Sequence, residues 1–364
     1  MRRPLLGIGT FAAVLLAACT SNAGQPAAPA PPAAHAPSTI PSAPAQVAPG
    51  AAAPTSEALP AKVGALYSSQ NVDSLVFYIA DRYGFWTQEG LPVELGYAAA
   101  NTADAALISG QTQVLAGGGS EAIAAAANGA DMVMIAGIFN STPFRLIAQP
   151  DVRTAADLKG KRIGITRPGS VTDMTARIAV EKLGLNPQTD VEFLSMGEMR
   201  VLINSLTTSA IQAGMAYPPD TAPLEDQGYN TLYDPAKEKL PFQHKAVEVM
   251  RGWAQQYPAA VDRTLRGVVR AIHFIRTNRA ETIAAVGEFL GVTDQRGLEE
   301  AYDEVILPLI PAEPFASVEG TRTILDILAR SNPQVRDVDP AQIIDNHWVQ
   351  QLVDSGYIAQ LYGR

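Results

Sequence analysis

Three short polar loops contain the residue types that best suit small-molecule binding, and each follows a predicted strand. The candidate binding residues in these loops are Ser68, Ser69 and Gln70, then Gly118, Gly119 and Ser120, and then Arg167, Gly169, Ser170 and Thr172. Glycine lets the backbone approach a ligand closely, and the first turn of a helix presents unpaired N–H groups. Because ligands of α/β sheets collect at the carboxyl ends of strands, we expect these loops to form one site. Tyr217 is added to it as an aromatic wall.

The loops also indicate the charge of the ligand. Ser120 and Ser170 stand at predicted helix starts, which favour an anion by roughly 0.3–1 kcal/mol, and Arg167 adds a charge-assisted donor. Glu121 and Asp173 would repel an anion if they faced the site, and our interpretation places both outside it. The prediction is therefore a small organic anion such as a sulfonate or carboxylate, with an aminopyrimidine-like cation as the alternative.

The residues needed for catalysis are poorly represented. The segment over 118–122 resembles a nucleophile elbow, but the second glycine of that motif is missing. A serine nucleophile also needs a histidine base, and nothing in the sequence places His244, His273 or His347 near Ser120. The phosphate-binding, zinc-protease and EF-hand motifs are absent from the sequence. We predict a binding protein without metal or cofactor; a hydrolase or transferase, or a ligand sensor, is the alternative of another class.

Alternating strand and helix patterns precede and follow these loops. Strands are predicted over 63–67, 93–95, 114–116, 132–137, 144–148, 162–165, 191–194, 213–216 and 231–233, with helices over 74–87, 102–109, 121–127, 171–183 and 199–206. Such alternation predicts two α/β units in series, each with a mostly parallel sheet. After about His244 the apolar residues keep helical spacing alone, which predicts an all-helical tail that packs on one of the units.

Composition and charge exclude several classes of protein. The chain has 364 residues, of which 47% are hydrophobic and 17% charged, a composition typical of globular proteins. Its 27 basic and 36 acidic residues give a net charge of −9, which argues against a nucleic-acid partner. No apolar run approaches the ~20 residues of a membrane-spanning helix. A single cysteine excludes an internal disulfide framework.

The N-terminal region differs from the globular part. A basic start and a short apolar stretch are typical of a secretory signal, and the only cysteine, Cys19, directly follows Leu16-Ala17-Ala18. This arrangement resembles a bacterial lipobox, so we predict a signal peptide over 1–18 and lipidation of Cys19. The segment over 19–60 is rich in proline and alanine and offers little to bury, which predicts an extended tether to the membrane.

Several motifs resemble those of one known family. They are Ala155-Ala156-Asp157-Leu158-Lys159-Gly160-Lys161-Arg162-Ile163-Gly164-Ile165, Pro168-Gly169-Ser170, Tyr83-Gly84-Phe85-Trp86, Leu183-Gly184-Leu185 and Ala216-Tyr217-Pro218-Pro219. With the anchor and tether, they resemble substrate-binding lipoproteins of ABC importers of the nitrate/sulfonate/taurine type. That group also includes binding proteins for thiamine pyrimidine precursors. Pro218-Pro219 departs from the commoner single proline of the family.

The resemblance implies a two-lobed periplasmic binding protein of type II. Lobe 1 would contain residues 62–148 and the mainly helical 239–364, and lobe 2 residues 149–238, with hinge crossings near 143–149 and 234–244. Ligand would bind in the interlobe cleft and close it, and an ABC permease with its ATPase would recognise the closed form. The family implies a periplasmic or extracytoplasmic, lipid-anchored protein, which we expect to be a monomer.

Overall fold

The computed structural model describes residues 58–330 and 332–363. The predicted signal peptide, Cys19 and nearly all of the tether lie outside the described residues. The strands are β1 (Val63–Tyr67), β2 (Val93–Tyr97), β3 (Val114–Gly117), β4 (Met132–Phe139), β5 (Arg145–Ala148), β6 (Arg162–Ile165), β7 (Glu192–Ser195), β8 (Ala213–Ala216), β9 (Asn230–Tyr233) and β10 (Lys245–Met250).

Helices follow most of these strands and form the C-terminal part of the chain. They are α1 (Leu75–Arg82), α2 (Phe85–Gln88), α3 (Ala100–Ile108), α4 (Gly119–Ala127), α5 (Val171–Lys182), α6 (Met199–Thr207), α7 (Ala222–Asp226), α8 (Arg251–Gln256), α9 (Pro258–Thr277), α10 (Arg279–Leu290), α11 (Gln295–Glu300), α12 (Leu307–Leu309), α13 (Val318–Leu328), α14 (Pro340–Ile343), α15 (His347–Asp354) and α16 (Tyr357–Leu361). Short 3₁₀ turns occur at Val72–Ser74, Ala156–Leu158 and Pro333–Asp337, and a π-helical segment at Ala301–Ile306.

The strands form two five-stranded sheets with the same plan. Sheet A has the order β2-β1-β3-β10-β4 and sheet B the order β7-β6-β8-β5-β9. In each sheet four strands run in one direction, and the remaining strand, β10 or β5, is antiparallel to both of its neighbours. The predicted fold, two mostly parallel sheets flanked by helices, is therefore confirmed. We call the part built on sheet A lobe 1 and the part built on sheet B lobe 2.

The two antiparallel strands are where the sequence prediction is wrong. The strand predicted over 144–148 was placed in lobe 1, but β5 pairs with β8 and β9 in sheet B. The chain therefore crosses from sheet A to sheet B at residues 140–144, and the boundary predicted at 148 falls after this strand. A short apolar run has the same pattern in either sheet, so its pattern did not reveal its partner.

Strand β10 lies between β3 and β4 in sheet A, whereas the sequence predicts only helices after about His244. It pairs with β3 and β4 and returns the chain to lobe 1 after the crossing at residues 234–244. Lys245 and Glu248 interrupt its apolar pattern, yet both are buried. Strands recognised by alternation or apolar runs are missed when charged side chains occupy buried positions.

The helical tail packs on lobe 1, as predicted. Helix α9 contacts α1 and α2, and its apolar stripe is fully buried there. The indole N–H of Trp86 donates a hydrogen bond of 3.1 Å to the Thr264 carbonyl oxygen. Because Gly267 lacks a side chain, α9 can approach the Trp86 ring closely. This contact joins the first segment of lobe 1 to the C-terminal part of the chain.

We expect Gly267→Ala to lower the free energy of unfolding by about 1–3 kcal/mol, because the new methyl group would lie 2.2 Å from a Trp86 ring carbon. Urea denaturation of the purified protein measures this change. The matched control is Gly252→Ala in α8, where a side-chain carbon has no atom within 4 Å. Equal free energies of unfolding for the two variants would contradict this contact between Gly267 and Trp86.

Candidate functional site

A cavity of about 380 Å³ lies between the two lobes, at the carboxyl ends of β1, β3 and β6. We call it the main cavity. Seven of the predicted binding residues line it, namely Ser68, Ser69, Gln70 and Gly118 of lobe 1 and Arg167, Ser170 and Thr172 of lobe 2. The three loops are thus brought together as expected, because parallel strands of both sheets end at the same interlobe surface.

Four other predicted binding residues do not line the main cavity. A side-chain carbon at Gly119 would lie 2.3 Å from the Gln243 carbonyl oxygen, so this glycine faces the lobe interior. Ser120 is buried, and its hydroxyl donates to the carboxylate of Glu121. The N–H of Gly169 donates to the Asp173 carboxylate at 2.8 Å. Tyr217 is only 4% exposed and packs edge-on against Phe144.

Tertiary structure adds a buried cation that the sequence analysis missed. Lys245, the first residue of β10, is 3% exposed, and it lines the main cavity. Its Nζ donates to the hydroxyls of Ser68 and Ser69, each at 3.0 Å. An ammonium group has three N–H donors, and two of them are held by these hydroxyls. The site therefore has a fixed positive charge in its wall.

Asp73 balances this cation. Its Oδ1 lies 3.7 Å from Lys245 Nζ and accepts from the Ser69 hydroxyl at 2.6 Å, and its Oδ2 lies 3.0 Å from His244 Nε2. Burial would raise the pKa of Asp73, but the Lys245 ammonium and the hydrogen bonds from His244 and Ser69 outweigh it and hold this pKa well below its usual range. The ionised carboxylate keeps the Lys245 chain and the Ser69 hydroxyl in place.

A second ion pair crosses the cavity from lobe to lobe. Arg167 donates to the Glu121 carboxylate at 3.0 Å and to the Asn101 side-chain oxygen at 2.7 Å. The expectation that Glu121 lies outside the site is wrong, because from the first turn of α4 it reaches the guanidinium of the opposite lobe. Asp173 does stay outside the main cavity, where it accepts from the Gly169 N–H and from Arg177.

The loop after β7 is a further wall that the sequence analysis did not identify. Glu198, Met199 and Arg200 line the main cavity from lobe 2. Arg200 is exposed, and no carboxylate of the described residues lies within 4 Å of its guanidinium. The sequence offered one indication that this loop could line the site: like the three predicted loops, it connects a strand to a helix and lies at the same interlobe surface.

Two carboxyl groups lie behind the cavity in lobe 1. Burial raises the pKa of Asp104 to about 7, with a smaller contribution from the negative charge of Glu121. Burial also raises the pKa of Glu248 well above its usual value, and neither of its carboxyl oxygens has a hydrogen-bond partner among the described residues.

The described residues contain no group of three or more histidine, cysteine, aspartate or glutamate side chains arranged to hold a metal ion. In the same part of the chain, none of the helices has the length and apolar character required to span a bilayer.

Two mostly parallel sheets joined by two crossings, with a polar cavity between them, define the fold of the periplasmic binding proteins. The family described as NMT1/THI5 like matches residues 71–282, which is more than half of the chain, so the protein belongs to this family. No curated protein sequence matches the chain.

Solved structures with the same fold include several binding proteins. A protein of Bordetella bronchiseptica RB50 is 24% identical with a TM-score of 0.69, over 81% of this chain and 98% of that one. The periplasmic aliphatic sulphonate binding protein SsuA from Escherichia coli is 20% identical with a TM-score of 0.65, over 79% and 93% of the two chains. The periplasmic nitrate-binding protein NrtA from Synechocystis PCC 6803 is 14% identical with a TM-score of 0.64, over 81% and 88%. The resemblance of the sequence to binding proteins of the nitrate/sulfonate type is confirmed.

The raised pKa of Asp104 predicts a specific dependence of stability on pH. An unfolded aspartate ionises near pH 4, whereas Asp104 in the folded protein stays protonated up to about pH 7. Between these values the folded state binds more protons than the unfolded state, so this group lowers the free energy of unfolding as pH rises. We expect Asp104→Asn to flatten that decline and to raise the free energy of unfolding at pH 8 by about 1–2 kcal/mol, because water partly screens the carboxyl.

Urea denaturation at pH 4.5, 6 and 8 tests this expectation. The exposed Asp326 provides the control, since Asp326→Asn should leave the pH profile unchanged. An Asp104→Asn profile parallel to that of the unmodified protein would show that this carboxyl ionises normally.

Proposed function

We propose that the protein is an extracytoplasmic solute-binding protein that captures a small organic anion, of the sulfonate or carboxylate type, and delivers it to the permease of an ABC importer. The observation that carries the proposal is Lys245, a buried cation in the wall of the interlobe cavity with its hydroxyl partners already in place. A cation fixed in a poorly hydrated site forms charge-assisted hydrogen bonds with an anion and needs no reorganisation to do so.

Both lobes contribute cations to the proposed site. Lys245 belongs to lobe 1, and Arg167 and Arg200 line the same cavity from lobe 2. A ligand that contacts both lobes stabilises the closed arrangement, because only there are all of its contacts made. Lys245 directly follows the crossing at residues 234–244, so this crossing and the one at 140–144 are the proposed hinges. A permease would then recognise the closed form.

The proposed cellular location depends on the N-terminal region. We propose that the chain is periplasmic or extracytoplasmic and anchored by a lipid on Cys19, with the Pro/Ala-rich segment as tether. Two proteins with the same fold, SsuA and NrtA, are described as periplasmic, which supports this location.

Contacts within the main cavity disfavour two other functions. Glu121 lines the main cavity and would suit a cationic, aminopyrimidine-like ligand, but its carboxylate is engaged by Arg167.

A serine beside a lysine also occurs in hydrolases, where the lysine activates the hydroxyl. Here the Ser69 hydroxyl donates to Asp73, and the Lys245 ammonium faces the same carboxylate. Neither atom is free for nucleophilic chemistry, which favours binding over catalysis.

We expect Lys245→Met to weaken the binding of organic anions by roughly 10- to 100-fold, the loss of one hydrogen bond to a charged group. Calorimetry with ethanesulfonate, butanoate, nitrate and 4-aminopyrimidine measures this change. Because the substitution leaves Asp73 buried without its cation, circular dichroism must show that the variant is folded. Arg200→Met tests the same site without touching the buried pair.

Lys159→Met serves as the control, since this lysine is exposed and lies outside the cavity. If 4-aminopyrimidine alone binds, and Glu121→Gln abolishes that binding, the anion proposal is wrong and the cationic alternative replaces it. Conversion of a probe into a product would instead favour an enzyme.

We expect Cys19→Ala to release the protein from the membrane fraction or to leave the precursor uncleaved, because the substitution removes the thiol that carries the lipid. Membrane fractionation and the precursor size on denaturing gels measure both effects. Unchanged fractionation and size would contradict the lipid anchor.

A further inference from the structure

A buried arginine lies beside both crossings of the chain. Arg145 is 4% exposed and directly follows the first crossing, at residues 140–144. Its Nε lies 3.1 Å from the carboxylate of Asp234, where the second crossing begins. Its Nη2 donates to the carboxylate of Glu304 at 2.6 Å. A buried guanidinium needs such carboxylate partners, so Arg145 ties both crossings to the segment that carries Glu304.

That segment comprises α11 and the π-helical turn after it, residues 295–306, and we call it the clasp. It is fixed to lobe 1. The Tyr302 ring is buried, and its hydroxyl donates to the carbonyl oxygen of Ile275 in α9 at 2.8 Å. Because α9 packs on the first segment of lobe 1, the clasp moves with that lobe.

The clasp also contacts lobe 2. The Arg296 guanidinium forms ion pairs with the carboxylates of Glu225 and Asp226 at the end of α7. Gly297 is buried, and a side-chain carbon there would lie 3.0 Å from the Pro219 carbonyl oxygen. Since Gly297 has no side chain, α11 can lie directly on Pro219. The clasp is therefore joined to lobe 2 by packing as well as by charge.

These contacts lie at the edge of the space between the lobes. A second cavity of about 280 Å³ adjoins the main cavity, and Met199 and Arg200 line both. Pro219 lines the second cavity from lobe 2, and Val292, which shortly precedes the clasp, lines it from lobe 1. The contact of the clasp with Pro219 therefore bounds the interlobe space. A hinge rotation that widens this space separates the clasp from lobe 2.

We propose that the clasp holds the two lobes together independently of ligand. Its ion pairs and its packing on Pro219 involve only groups of the two lobes, so they favour the closed arrangement whether or not a ligand is bound. A ligand that binds the closed lobes then has less conformational free energy to supply, and its apparent affinity rises with the closed fraction. This inference goes beyond the proposed function, because it concerns the equilibrium of the ligand-free protein.

Distance measurements on the full-length chain without ligand test the clasp. Spin labels are attached to cysteines introduced at Ala105 of lobe 1 and Gln188 of lobe 2, both exposed, in a chain that carries Cys19→Ser. Double electron–electron resonance gives the distribution of distances between the labels. We expect Arg296→Glu to lower the ratio of short-distance to long-distance populations by about fivefold or more, because the new carboxylate faces two others across the lobes.

Two further variants control for this result. Arg82→Glu should leave the distances unchanged, since Arg82 forms its ion pair with Glu288 within lobe 1. Adding Asp226→Arg to Arg296→Glu exchanges the two charges and should restore the short distances. Unchanged or shorter distances in Arg296→Glu would overturn the inference. Long distances that persist in the double variant would assign the effect to a disrupted α11 and would also overturn it.

Calorimetry with ethanesulfonate separates this inference from the proposed function. Arg296 does not line the main cavity, so Arg296→Glu should raise the Kd of ethanesulfonate about fivefold only through the closed fraction, and Arg82→Glu should not change it. A Kd that stays the same in Arg296→Glu would overturn the link between the clasp and affinity. If ethanesulfonate does not bind but the distances shift as expected, the clasp is supported and the sulfonate class of ligand fails.

Discussion

The ion pair between Lys245 and Asp73 is the interaction on which the site depends. Each charge is buried and is tolerated only because the other is beside it, so the turn after β1 and the start of β10 must lie together. These two segments are more than 170 residues apart in the sequence. Once the pair forms, the hydroxyls of Ser68 and Ser69 are fixed by the same ammonium. The placement of β10 in sheet A and the wall of the cavity are thus set by one contact.

The second constraint is that each sheet contains one strand that directly follows a crossing of the chain from the other sheet. β5 follows the crossing out of sheet A, and β10 follows the crossing back, and each is antiparallel to both of its neighbours. The two lobes are therefore joined by two connections, which limits their relative motion to opening and closing about these segments. Because the cavity lies between the lobes, ligand binding and lobe closure are one equilibrium.

Charge in the cavity is arranged in pairs that differ in how they are used. Lys245 and Asp73 both belong to the lobe 1 wall of the cavity, whereas the ion pair of Arg167 with Glu121 joins the two lobes. Arg200 has no carboxylate within 4 Å among residues 58–330 and 332–363, but its positive charge partly offsets the rise in the pKa of Asp220 that burial causes, and Glu198 of the same loop also lines the cavity.

The sequence by itself determined the parallel strands, their following helices and the three polar loops, because alternating apolar runs and turn residues are local signals. It did not determine which sheet β5 joins or that β10 is a strand, since pairing partners depend on contacts distant in sequence. For the same reason Lys245 and Arg200 were missed, and Glu121 was placed outside the cavity. Tyr217 was predicted to be an aromatic wall of the site, but in the tertiary structure it is buried against Phe144 and does not line the main cavity. The sequence specifies the type of each side chain, whereas its burial and its charged neighbours are determined only when separate segments pack together.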